Sequence, residues 1–148
     1  MSNGERKARA RVHALLVHFP VSAWTGAAFL QWFAPFADGP VVLGIDLGAA
    51  TAALAWTGLA FATAAALAGL NELTALPDDD AVVTTANRHL LAMGAAFTCF
   101  LLFALARPDA GALAAPPAVR HGLAFLGFAA MLVGGHFGGR LVLLRGHD

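Results

Sequence analysis

Histidines are the side chains of this chain whose chemistry is most distinctive. The chain is 59% hydrophobic and only 12% charged. An ionisable side chain in such apolar surroundings is costly, so its presence indicates a function. A neutral imidazole can bind haem iron or a transition metal, and it can also relay protons. Six positions are therefore the first candidates: His13, His18, His89, His121, His136 and His147.

Four apolar segments must position these histidines. Each reaches the roughly 20 residues that a membrane-spanning helix needs. Domains that fold in water carry about 25% charged residues, and the charges of this chain are too few to cover the outside of such a bundle. Short connections make neighbouring helices antiparallel. We expect an all-α fold, a four-helix transmembrane bundle with up-down topology. The membrane domain would cover residues 12–146 after a basic tail at 1–11, with helices at about 12–36, 42–70, 85–106 and 119–144.

The distribution of lysine and arginine predicts the orientation. Loops on the cytoplasmic side of a membrane carry an excess of these residues. Arg107 and Arg120 fall on one side of the predicted bundle. The other seven fall on the side of both termini, which predicts a multi-pass protein with the N-terminus and C-terminus in the cytoplasm: Arg6, Lys7, Arg9, Arg11, Arg88, Arg140 and Arg145.

In this topology three histidines on three different helices fall in one layer. At about 1.5 Å per residue, His18, His89 and His136 lie roughly 6–12 Å below the cytoplasmic boundary. His13 lies at the interface beneath them, and His121 belongs to the opposite face. His147 is in the C-terminal tail.

This layer predicts a haem b site. Two imidazoles from different helices can ligate the iron, and the bundle supplies the pocket. Next to His136, Gly135 and Gly139 leave room for a porphyrin edge, and Arg140 lies on the same helical face, where it could pair with a propionate. The predicted cofactor-binding residues are His18, His89, His136, Gly135, Gly139 and Arg140.

Two other interpretations of the histidines stay open. His18, His89 and His136 could together hold zinc or copper, with Glu72 nearby as a carboxylate. Alternatively, each imidazole could satisfy a polar group between helices, such as the Leu16 carbonyl that Pro20 leaves without its helical donor.

Other polar and small residues predict structural roles. Asp46 is expected to cap the second helix, and a Glu72–Arg88 pair is plausible across the second loop. The pairs Gly134/Gly138 and Gly135/Gly139 are typical of close helix packing. No Ser/His/Asp order, phosphate loop, His-Glu-x-x-His or cysteine cluster indicates a catalytic site.

The segment from His13 to Pro20, with the sequence HALLVHFP, resembles the opening signature of a family of small bacterial membrane proteins. The family is catalogued as domain of unknown function twenty-two thirty-one, and it typically opens with His-Pro followed by Val-His-Phe-Pro. Its second helix typically ends in Gly-Leu and an acidic residue, to which Gly69-Leu70-Asn71-Glu72 is similar. Arg88-His89 and the segment 138–142 are also similar. Ala14 and Asn71 depart from the family's usual proline and aspartate.

The resemblance implies a four-helix fold in the bacterial inner membrane and brings no established activity. Some relatives are joined to or encoded beside cytochrome-like redox proteins, which favours haem. The leading hypothesis is therefore a membrane redox protein that passes electrons between a quinone-level donor and a partner protein. One alternative is a non-catalytic accessory or assembly subunit of a larger membrane complex. Another is transport or sensing of a transition metal. The net charge of zero indicates no nucleic-acid partner.

Overall fold

The computed structural model describes residues 13–36, 41–73, 79–106 and 115–145, with only the backbone described at 71–73 and 145. Helix α1 is followed by a short 3-10 turn and a two-stranded hairpin, and three longer helices complete the chain. The elements are α1 (His18–Phe33), the 3-10 turn (Ala34–Phe36), β1 (Val41–Val42), β2 (Ile45–Asp46), α2 (Leu47–Leu73), α3 (Asp80–Leu105) and α4 (Pro117–Arg145). One helical turn at residues 13–16 precedes α1.

All four helices carry a stretch long and apolar enough to cross a membrane. The stretches are His13–Phe36, Leu47–Leu70, Asp80–Leu105 and Pro117–Leu144. Large apolar side chains cover the outside of the bundle, as Leu91 and Val142 illustrate at 75% and 71% exposure. The predicted all-α, four-helix fold is confirmed, and its surface is that of a multi-pass membrane protein.

The second helix begins later than predicted. Residues 41–46 form a hairpin in which Val41 pairs with Asp46, because Leu43 and Gly44 both adopt positive φ angles of 53° and 78°. Two such residues make the tight turn whose twist matches that of paired strands. The helix therefore starts at Leu47 and not at residue 42. Asp46 caps it as predicted, since its Oδ1 accepts a hydrogen bond from the Ala49 amide at 2.9 Å.

The third helix begins five residues earlier than the predicted Thr85. Asp79 is its N-cap, with Oδ1 accepting from the amides of Ala81 at 2.8 Å and Val82 at 3.3 Å. Asp79 and Asp80, which the predicted helix bounds left between the second and third helices, therefore form the helix start. The fourth helix begins at Pro117, two residues earlier than predicted, because proline suits the first turn of a helix.

The four helices form two hairpins, α1–α2 and α3–α4, within which packing is most extensive. The hairpins then meet along two seams, α1–α4 and α2–α3. At the centre, Trp24 and Phe100 are both fully buried. Gly134 lies against the side chain of Met93 and so gives the close helix packing that was predicted for the pair Gly134/Gly138.

Candidate cofactor site

His89 is bound to the neighbouring helix through one ring nitrogen. Its Nδ1 lies 2.8 Å from the backbone oxygen of Gly134. A carbonyl can only accept, so Nδ1 carries the proton and donates. Gly138, one turn further on, leaves this carbonyl accessible: a Cβ there would lie 3.1 Å from the imidazole Cε1. The glycine therefore makes the slot that the imidazole occupies.

His13 makes the same contact in the other hairpin. Its Nδ1 lies 2.9 Å from the backbone oxygen of Ala65, so it also donates. Gly69 is again four residues beyond the carbonyl, and a Cβ there would lie 3.0 Å from the His13 Cε1. Both imidazoles are half-buried, and in both the second nitrogen, Nε2, is left to act as an acceptor or ligand.

The two hairpins also repeat the aromatic contact that precedes each histidine slot. In the first, the Trp24 indole lies over Gly58 of α2, and in the second, the Phe100 ring lies over Gly127 of α4. The spacing is the same in both halves. Eleven residues separate each histidine from its aromatic residue, and seven separate the glycine under the ring from the carbonyl that the histidine binds. The bundle is therefore built from two equivalent helical hairpins.

Trp24 and Phe100 bring the two equivalent halves together. Their rings stack with centroids 4.7 Å apart and planes 8° apart. Eleven residues are slightly more than three helical turns, so His13 and His89 lie on nearly the same helix faces as these rings, about 16 Å along the bundle. The two imidazoles therefore stand level with each other on corresponding inner faces of α1 and α3.

The other predicted cofactor residues lie elsewhere. His18 is exposed and is five residues beyond His13, about 7 Å above the level of His89. His136 is near that level, but it is exposed on the outside of α4, where its ring contacts Phe137 at 5.5 Å. His18, His89 and His136 thus do not meet in one cluster. Within the described ranges, no three His, Cys, Asp or Glu side chains are grouped to hold a metal ion.

Three more of the predicted cofactor residues are exposed near the C-terminal end of α4: Gly135, Gly139 and Arg140. A Cβ on either glycine would have no atom within 4 Å, so neither provides the close contact that their spacing predicted. Arg88 lies with its guanidinium 5.8 Å from the ring centroid of Phe137. The predicted Glu72–Arg88 pair lies outside the described residues because of Glu72.

The comparisons with known proteins found no match: no protein-family model, no curated protein and no solved structure matches this chain. The similarity to domain of unknown function twenty-two thirty-one stays a prediction.

Sequence reasoning missed His13, which it placed at the interface beneath the layer. Two features of the sequence distinguish it from His18. His13 shares with His89 the spacing of eleven residues to a large aromatic residue. Each of the two also has a partner helix with glycines at matching positions. These features have meaning only once α1 is paired with α2 and α3 with α4.

Proposed function

We propose that this chain is an integral membrane redox protein that binds haem b between His13 and His89. One observation carries the proposal: two imidazoles lie at the same level on α1 and α3, and each donates its Nδ1 proton to a backbone carbonyl of the neighbouring helix. Histidines that ligate metals usually donate their other ring nitrogen in this way. The bond selects the tautomer with a lone pair on Nε2 and holds the ring in one orientation.

Gly135, next to which the sequence predicted room for a porphyrin edge, lies near the level of His89. Met131 of α4 is 3% exposed and belongs to the core. One turn further, on the same face of the helix, an added Cβ on Gly135 would meet nothing within 4 Å. Gly135 is itself exposed, so this open space lies outside the packed core, beside the Gly134 carbonyl that His89 binds. Four-helix bundles build cofactor sites from side chains on different helices, and here His13 and His89 would supply the two ligands from α1 and α3.

The residues present fit a haem by their donor chemistry. His13 and His89 would hold the iron. Arg140 is exposed at the end of the bundle where these histidines lie, and it could pair with a propionate carboxylate of the haem. The bound iron would supply one-electron exchange. The chain's own contribution is to fix both rings, to raise their basicity through the carbonyl bonds and to keep water away with apolar helices.

The proposal keeps His89 from the sequence prediction and replaces His18 and His136 with His13. It also keeps the expected setting: a bacterial inner-membrane protein with both termini in the cytoplasm, related to domain of unknown function twenty-two thirty-one. Electrons would pass between a quinone-level donor and a partner protein. The four apolar helices support the membrane location, and the lysine and arginine distribution supports the orientation.

Optical spectroscopy of the detergent-purified protein tests the proposal. A Soret band and a sharp α-band on reduction, at one haem per chain, are the expected result. Stoichiometric metal analysis on the same sample would detect zinc or copper instead. A protein that is folded, metal-free and colourless after expression with ample haem would contradict the redox function. The accessory-subunit alternative would then explain the glycine-lined contacts.

A further inference from the structure

A polar cluster lies at the opposite end of the bundle from His13 and His89, on the seam between α1 and α4. Gln31 is its centre and is 7% exposed. An Arg120 guanidinium nitrogen donates to Gln31 Oε1 at 2.8 Å. Because a guanidinium can only donate, the Gln31 atom facing Arg120 must be the oxygen. The amide nitrogen, Nε2, is therefore on the other side, 3.4 Å from Nδ1 of His121.

His121 cannot satisfy that amide nitrogen. Its Nδ1 lies 2.6 Å from the backbone oxygen of Pro117, a distance at which the nitrogen must donate its proton to the carbonyl. The same Nδ1 then has no lone pair to offer Gln31. Among the residues that the structure describes, the buried amide of Gln31 has no other acceptor for its hydrogens. Such a group in a low-dielectric interior needs a partner.

The cluster also breaks the internal repeat. The equivalent of a residue in α4 lies 69 positions earlier in α2, as Gly127 and Gly58 show. By that relation the first half has Thr51 at the position of Arg120 and Ala52 at the position of His121. Thr51 simply donates to the Leu47 carbonyl of its own helix at 2.6 Å. The arrangement is thus specific to the α1–α4 seam and does not follow from the packing that both halves share.

Aromatic rings flank the cluster on the same seam. Trp32, next to Gln31, lies 6.3 Å from Phe125 and 5.6 Å from Phe128 between ring centroids. Phe29 lies 6.0 Å from Trp32 and is 47% exposed. A ligand here would meet flat apolar walls, one buried N–H donor and surrounding lipid.

We propose that this seam binds the headgroup of a quinone. A quinone has a flat ring that stacks on aromatic side chains, carbonyl oxygens that only accept hydrogen bonds, and an apolar tail that stays in the bilayer. One carbonyl accepts from Gln31 Nε2. His121, with its proton held on Nδ1, presents Nε2 as an acceptor for the hydroxyl of the reduced form. The site is separate from the haem site and does not depend on it.

The test uses the purified full chain in lipid nanodiscs with decylubiquinone as the probe. Quenching of tryptophan fluorescence should show a saturable component above the linear background from quinone dissolved in the bilayer. Gln31→Glu keeps an oxygen for Arg120 and removes the amide donor, so it should weaken the saturable component by at least about tenfold. Thr51→Val, at the position of α2 equivalent to Arg120, should leave it unchanged.

Each other outcome counts against the quinone site. Absence of a saturable component in the parent protein overturns it, as does equal binding by Gln31→Glu. Haem content measured on the same samples separates the two proposals, because Gln31→Glu should retain the cofactor of the parent.

Discussion

Trp24 and Phe100 stack face to face at the centre of the bundle, each lying over a glycine of its own hairpin. This contact sets the height of α1 relative to α3. It therefore decides which histidine of α1 stands opposite His89, and the answer is His13. His18, one and a half turns further along α1, points out of the bundle.

Ligation by His13 and His89 predicts how single histidine variants behave. Iron held between two imidazoles depends on both, so His13→Ala and His89→Ala should each lower haem retention or change the spin state. His18→Ala and His136→Ala are the matched controls, since both side chains are exposed, and their spectra should equal that of the parent. Pyridine haemochrome assays and reduced spectra would measure this. Loss of haem in His18→Ala or His136→Ala with retention in His13→Ala would restore the pairing predicted from the sequence.

The glycine slots predict a second effect on the same histidines. Gly138→Leu should push His89 away from the Gly134 carbonyl, because a Cβ there already lies 3.1 Å from the imidazole. We expect a shift in the spectrum and weaker haem retention, with the protein still inserted. Gly139→Leu, one residue along and in open space, is the control and should behave as the parent does. Similar spectra for both variants would show that the slot does not orient the ligand.

The packing of Trp24 on Gly58 predicts a stability effect far from the proposed site. Gly58→Ala would place a Cβ within the Trp24 indole ring, so it should destabilise the bundle by about 1–3 kcal/mol. Trp24→Phe in the same background should recover part of the loss. The smaller ring makes room, and it removes an indole N–H that is buried with no partner among the described residues. Gly94→Ala, with nothing within 4 Å, is the control. Unfolding in mixed micelles would compare the stability of the parent, Gly58→Ala, the double variant with Trp24→Phe, and Gly94→Ala.

The cap of α3 predicts a smaller effect. Asp79→Ala removes the oxygen that accepts from the Ala81 and Val82 amides, which should cost about 0.5–2 kcal/mol of stability. Asp80→Ala changes the neighbouring carboxylate, which is in the first turn and not at the cap, and should cost less. The same unfolding assay compares them. An equal loss for both would indicate a general charge effect at the helix start and not a cap.

The orientation in the membrane is a further prediction. Seven of nine lysine and arginine residues fall on the side of the termini, so a reporter fused after Asp148 should be cytoplasmic. A reporter inserted between Asp109 and Pro117 should be on the opposite side. The reverse pattern would place His13 and His89 at the outer face and the Gln31 cluster at the inner face.

The sequence alone determined the class of fold. Apolar stretches of membrane-spanning length and a charged fraction of 12% leave a helical membrane bundle as the consistent fold. Local chemistry also predicted that Asp46 caps the second helix. The predicted helix start at Val42 was wrong, because the positive φ angles of Leu43 and Gly44 make a hairpin before the helix. A leucine in that conformation is uncommon, so its sequence gives little sign of the turn.

Only the tertiary structure decided which faces of the helices meet and at what height. In water, the contrast between apolar and charged residues marks the inner face of a helix. In lipid the outer face is as apolar as the core, so that contrast is lost and neither His13 nor Gln31 is distinguished by its neighbours in sequence. The relative height of the helices is set instead by aromatic rings that pack on glycines: Trp24 packs on Gly58, and Phe100 packs on Gly127. These contacts join residues more than twenty positions apart, and they exist only after the helices have paired.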